Sequence, residues 1–120
     1  YRENKDGIVS VVLTDAGKQR SLSFDFDNLS LKPAKRWDSR WRLVLYDIPE
    51  KNKAGREALR SKLKELGFYE WQRSVLVYPF PCRNEIDWLI EFFDLRNHVR
   101  YAEMTKPTNE AELKLHFKLF

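Results

Sequence analysis

Asp47 ends an apolar run, Trp41-Arg42-Leu43-Val44-Leu45-Tyr46, and is followed by Ile48-Pro49. A carboxylate at the tip of a buried strand can hold magnesium, which takes oxygen ligands and keeps several of its waters. A metal held there can activate water against a phosphodiester. Asp47 is therefore a candidate metal ligand, or a residue placed near bound phosphates. The plainer role for the same aspartate is to cap or hydrogen-bond the turn that Pro49 begins.

The second candidate chemistry is phosphate binding. Lys53, Arg56, Arg60 and Lys64 recur at helical spacing. Such a row gives salt-dependent, sequence-independent affinity for a nucleic-acid backbone. It can equally be a solvated helix face paired with Glu57 and Glu65. Arg36 and Arg40 flank Trp37, the pattern of a strand or backbone contact with an interleaved aromatic. Arg73 joins them from between two strands. The candidate DNA- or RNA-binding set is thus Arg36, Arg40, Lys53, Arg56, Arg60, Lys64 and Arg73.

Other reactive side chains are weaker candidates. Ser74 has no histidine near it in sequence, so it reads as structural. His98 and His116 lack metal-ligand spacing. Cys82 reads as a small packing residue, and nothing marks it as reactive. No glycine-rich phosphate loop is present, which leaves nucleotide hydrolysis without support.

The elements that must position these residues follow from pattern and composition. The chain has 120 residues, 42% hydrophobic and 14% aromatic, enough for one domain with a real core. No apolar run approaches membrane-spanning length, so no membrane partner is expected. The lone Cys82 cannot form an internal disulfide, which fits a reducing cytoplasm. The first residue is Tyr1, and a trimmed N-terminus is expected. The net charge is +4, but the stretch 32–65 alone holds eleven Lys/Arg against five Asp/Glu. That basic focus can attract a polyanion.

Lys5-Asp6-Gly7 marks a hairpin turn between Tyr1–Asn4 and Ile8–Leu13. Thr14 is the expected N-cap of a short helix running through Gln19 towards Leu22. Residues 25–40 read as a basic linker. Arg42–Ile48 is the first strand of the main domain, and Pro49 ends it. Leu59, Leu63 and Leu66 fall at i, i+4 and i+7, which predicts a helix from Lys53 to Leu66 with Gly67 at its C′ position. Strands follow at Tyr69–Gln72 and Ser74–Phe80. Asn84 is the expected N-cap of a second helix, with Trp88 and Phe92 off its apolar stripe. His98–Met104 is the last strand, and residues 107–120 form a tail helix or strand. The class is α+β. From Trp41 the order is β-α-β-β-α-β, a ferredoxin-like arrangement with both helices on one face of an antiparallel sheet. The other face has no helix to cover it, and a homodimer stacked through that open face would solve the exposure.

Several of these stretches together resemble a known family. They are Trp41-Arg42-Leu43-Val44-Leu45-Tyr46-Asp47-Ile48-Pro49-Glu50, the helix with Arg56 and Arg60, Leu66-Gly67-Phe68, and Ser74-Val75-Leu76-Val77-Tyr78-Pro79. They resemble the middle domain of the PaaX-like transcriptional repressors. That domain is itself similar to the CRISPR-associated Cas-two proteins, ferredoxin-fold homodimers. Tyr46-Asp47-Ile48 and Gln72-Arg73-Ser74-Val75 are the parts shared with Cas-two. Ile8–Leu13, followed by Thr14-Asp15-Ala16-Gly17-Lys18-Gln19-Arg20, looks like the wing and next helix of a winged helix-turn-helix domain.

The resemblance implies a division into four parts. Residues 1–24 would be a winged-helix remnant, 25–40 the linker, 41–106 the Cas-two-like domain and 107–120 the tail. It implies a dimerisation domain in a DNA-binding regulator. The alternative it carries is a Cas-two protein: a magnesium-dependent endonuclease on RNA or DNA, or the dimeric scaffold of spacer acquisition beside a CRISPR integrase subunit. In that family the matching aspartates of two subunits face each other and are proposed to hold a divalent metal, so the resemblance would pair Asp47 with its copy as magnesium ligand and catalytic residue. Arg73 stands where Cas-two proteins usually have an aromatic, and Leu76 where they often have phenylalanine. Pro49 and Tyr78-Pro79 lean towards the regulators.

Overall fold

The computed structural model describes the backbone of Arg2–Glu3, Val9–Asp15 and Lys18–Phe24, and the backbone and side chains of residues 25–119. The first three segments are strands β1 (Arg2–Glu3), β2 (Val9–Asp15) and β3 (Lys18–Phe24), paired in that order as an antiparallel sheet. The Asp6-Gly7 turn lies outside the described residues. The helix expected after Thr14 is corrected: Thr14 pairs with Gln19, and the ladder runs on to Val9 opposite Phe24. Lys18–Phe24 alternates Arg20, Leu22 and Phe24 with Gln19, Ser21 and Ser23. This period of two outweighs a lone capping threonine.

The second sheet holds β4 (Trp41–Tyr46), β5 (Tyr69–Gln72), β6 (Val75–Tyr78) and β7 (Val99–Met104). It is open and antiparallel, in the order β5-β6-β4-β7. β4 is central and apolar on both faces, so it can be buried on both. Helix α1 (Lys53–Glu65) follows a short 3-10 turn at Glu50–Asn52, and α2 (Arg83–Phe92) precedes β7. α1 ends as its sequence demands. Gly67 takes φ +111°, Phe68 N–H donates to the Leu63 carbonyl at 3.0 Å, and Gly67 N–H donates to Lys64 at 3.1 Å. These are the paired bonds of a glycine C-terminal cap. α2 begins one residue before Asn84, with Cys82 at the N-cap position and no side-chain cap bond.

On one sheet face Val44, Tyr46, Leu76, Tyr78 and Val99 pack against Leu59 and Leu63 of α1 and Ile86, Leu89 and Ile90 of α2. Residues 25–31 are more than a tether. Leu29 is buried in that core, and Phe26 stacks on Phe92 at 4.7 Å, which stacks on Trp88 at 5.0 Å. This supplies part of the extra cover that Trp88 and Phe92 call for.

The opposite face also differs from expectation. The tail forms α3 (Glu110–Phe117), and Leu113 packs with Trp41, Leu43 and Val77. The face expected to lack a helix therefore carries one. Two indole N–H groups fasten it: Trp41 Nε1 donates to Glu110 at 3.0 Å, and Trp71 Nε1 donates to Asn109 at 2.9 Å. Leu45, Val75 and Ala102 on the same face stay half-buried. No described helix is long and apolar enough to cross a membrane.

Candidate nucleic-acid interface

Three of the seven candidate basic residues converge. α1 supplies Arg56 and Arg60, and the β5–β6 turn supplies Arg73. They line a cleft of about 570 Å³ with Tyr46, Glu50, Glu57, Glu70 and Ser74. The turn is set by Ser74, which adopts the left-handed conformation at φ 73° and accepts the Tyr46 N–H at 3.1 Å. That bond ties the turn to the end of β4 and holds Arg73 at the cleft.

The cleft is not uniformly positive. Arg56 lies 3.3 Å from Glu50 and 3.6 Å from Glu57. Arg60 lies 2.5 Å from Glu70. Glu70 raises the pKa of Arg60 through this hydrogen bond. Both arginines already have carboxylate partners, and a phosphate must compete with those to reach them. Arg73 is exposed and makes no ion pair among the described residues. It is the cation of this cleft that is available to a ligand.

The other four candidates lie elsewhere. Lys53 and Lys64 are exposed on α1 and do not line the cleft. Arg36 lines a separate groove with Lys35, Trp37, Lys114 and Lys118. Arg40 sits 3.6 Å from Glu103, in a shallow depression with Met104 and Thr105. The seven residues thus spread over several surfaces. Sequence spacing identified the helical row but could not show that glutamates occupy two of its members.

Asp47 is exposed and does not line the arginine cleft. It borders a shallow pocket of about 370 Å³ with Leu45, Tyr46, Asn97, His98 and Arg100. Its N–H donates to the His98 carbonyl at 2.8 Å, which extends the β4–β7 pairing by one bond. The turn after Pro49 is closed by Asn52 N–H donating to the Pro49 carbonyl at 2.8 Å. Among the described residues the Asp47 carboxylate accepts no hydrogen bond, so it does not perform the turn-bonding role weighed for it. No group of three or more His, Cys, Asp or Glu side chains with the arrangement of a metal site occurs among the described residues.

Two features escaped sequence reasoning. His98 and Arg100 lie beside Asp47 because antiparallel pairing sets the start of β7 against the end of β4. Arg42 was counted with the basic focus, yet it is 2% exposed. Its guanidinium donates to Asp38 at 2.6 and 2.8 Å, to the Pro79 carbonyl at 2.9 Å and to the Arg40 carbonyl at 3.0 Å. These bonds hold the Asp38 carboxyl down at about 2, below its ordinary 3.8. Arg42 therefore fixes the linker to the sheet and is not offered to a ligand. An arginine inside an apolar strand with an aspartate four residues earlier was the available signal.

Cys82 is 2% exposed, and burial pushes its thiol up to about 12. Only the thiolate is nucleophilic. At pH 8 the folded protein is expected to react with an aromatic disulfide reagent at least about a hundredfold more slowly than the protein in guanidinium. Equal rates would show that Cys82 is not buried as described.

Residues 34–115 match the family model for the PaaX protein central Cas2-like domain. The matched span runs from the linker into α3 and includes Arg42, Asp47 and Arg73. No curated protein matches the chain.

Proposed function

The chain belongs to the family of the PaaX protein central Cas2-like domain, and from that premise we propose that it is the nucleic-acid-associated, dimer-forming domain of a PaaX-type winged-helix transcriptional regulator. The observation that carries this reading is the family match over residues 34–115. The sheet order β5-β6-β4-β7 supports a ferredoxin-like fold for residues 41–106. The β2–β3 hairpin is taken as the wing of the preceding domain in residues 1–24, joined by 25–40, and 107–120 as a tail closing on the sheet. A second copy would pair through the part of the sheet face where Leu45 and Val75 remain half-buried. Arg73 makes the principal phosphate contact, with help from Lys53, Lys64, Arg36 and Arg40. A cytoplasmic location suits such a regulator.

One observation favours a second reading. Asp47 presents an exposed carboxylate free of hydrogen bonds from described residues, at the position where Cas-two proteins pair two aspartates. Among the described residues a single copy offers one carboxylate at this position and no cluster of three or more ligands. Two copies facing each other would supply two. In that arrangement the domain would be a nuclease, or a scaffold bound to an integrase subunit.

The regulator reading is tested by titrating the full chain with labelled duplex DNA from around its own gene across a salt series. Arg73→Gln is expected to lower the slope of log affinity against log salt by about 0.9, the value for one lost phosphate contact on duplex DNA. Arg60→Gln, which removes a cation already held by Glu70, is expected to leave the slope unchanged. No measurable DNA binding at any salt concentration would overturn the reading.

A further inference from the structure

An unpaired positive surface lies away from the arginine cleft. Between the linker and α3 a groove of about 460 Å³ is lined by Lys35, Arg36, Lys114 and Lys118, together with Trp37 and Phe80. No acidic side chain among the described residues lines it. Lys35, Arg36 and Lys118 make no ion pair among the described residues, and Lys114 meets only Glu110, at 3.9 Å. In the cleft, by contrast, two of three arginines are already neutralised.

The groove is built into the fold. Trp37 packs on Trp41 at 4.8 Å and donates its indole N–H to the Arg40 carbonyl at 2.9 Å. Lys114 rests over the Trp37 ring at 5.5 Å. Its neighbour Lys118 closes α3 in the left-handed conformation, φ 58°. Four cations thus surround a fixed aromatic, and no acidic side chain among the described residues lines the space between them.

We propose that this groove binds a segment of single-stranded nucleic acid, with phosphates on Lys35, Arg36, Lys114 and Lys118 and a base against Trp37. Charge alone would suit any polyanion. The aromatic floor is what favours a nucleic-acid strand, because every base has a face that can stack on it. Lys114 leaves the Trp37 ring when a base arrives and turns to the phosphate. The inference rests on the nucleic-acid reading above, and it assigns that function a second surface, formed by the linker and the C-terminal helix.

The test compares the full chain with a Lys114→Gln, Lys118→Asn double variant. Asparagine tolerates the left-handed position that residue 118 occupies, so α3 is expected to keep its end. Binding of a fluorescent 20-nucleotide single strand is measured across a salt series, with polyglutamate as a control polyanion and a thermal melt as the control for folding. The double variant is expected to lower the salt slope by about 1.4, which is about 0.7 for each lost contact on a single strand. Trp37→Leu, with all cations kept, is expected to weaken strand binding and leave the slope unchanged.

An unchanged slope in the folded double variant, with strand binding intact, would overturn the groove and leave the broader reading standing. Failure of the wild-type chain to bind any nucleic acid would overturn both. Polyglutamate bound as tightly as the strand would also sink the groove proposal, because it would reduce the groove to a site for any anion.

Discussion

Arg42→Ala is expected to destabilise the domain by about 2–3 kcal/mol, through the lost packing of a buried side chain and a carbonyl left without its donor. Arg42 is almost fully buried and bonds the linker at Asp38 and Arg40 and the end of β6 at Pro79. Glu103 lies 3.3 Å from its Nε, an ionic contact that lacks hydrogen-bond alignment. Truncation leaves the Pro79 carbonyl without this donor and removes one of the linker's ties to β4. Urea unfolding of the variant against the wild type measures the loss. A difference under 1 kcal/mol would show that the guanidinium is dispensable.

The same pair sets an acid limb. The folded Asp38 carboxyl sits at about 2, against an ordinary 3.8. A depressed carboxyl stabilises the fold above its unfolded pKa, and that contribution is lost as pH falls through the folded value. The loss therefore runs from about pH 4 down to about pH 2. Asp38 is 45% exposed, so solvent screening reduces this contribution to about 1 kcal/mol. Asp38→Asn is expected to remove that part of the acid dependence. An unaltered acid profile would contradict the assignment.

Trp41→Ala is the second large effect, at about 3–5 kcal/mol for emptying a fully buried aromatic site. Trp41 has no exposed surface. It lies under Trp37 and 5.9 Å from Phe117, and its indole N–H holds Glu110 of α3. Loss of the ring empties the seam between sheet and tail helix. The amides of α3 are therefore expected to exchange hydrogen faster than those of α1, whose anchors Leu59 and Leu63 lie on the opposite face. Trp41→Phe keeps most of the volume and loses the bond to Glu110, which is worth about 1 kcal/mol. Equal acceleration in both helices would argue that α3 is not separately fastened through Trp41.

Legibility followed local pattern. The α1 stripe at Leu59, Leu63 and Leu66, and the cap at Gly67, could be read because one repeat and one glycine carry them. β4 could be read from its apolar run. Lys18–Phe24 is a strand although Thr14 offers a helix cap, because its alternation runs over seven residues and the capping motif is one short signal. The cover on the second sheet face was hidden for a different reason. α3 has only Leu113 fully buried and leaves Leu115 exposed, so it shows no broad apolar stripe, and its docking depends on Trp41 and Trp71 far earlier in the chain. The candidate site divides in the same way. Helical spacing marked Arg56 and Arg60, but their partners Glu50 and Glu70 come from a turn and a neighbouring strand. Long-range pairing decided which cations stay available, and one-dimensional spacing does not encode it.

A regulator domain of the proposed kind must hold nucleic acid without cutting it. The most direct test is incubation of the full chain with end-labelled duplex DNA and single-stranded RNA in magnesium, with Asp47→Ala in parallel. Intact substrates are expected in every lane, with the same DNA affinity for both proteins. Cleavage that requires magnesium and disappears in Asp47→Ala would contradict the regulator reading and establish the paired-aspartate nuclease instead.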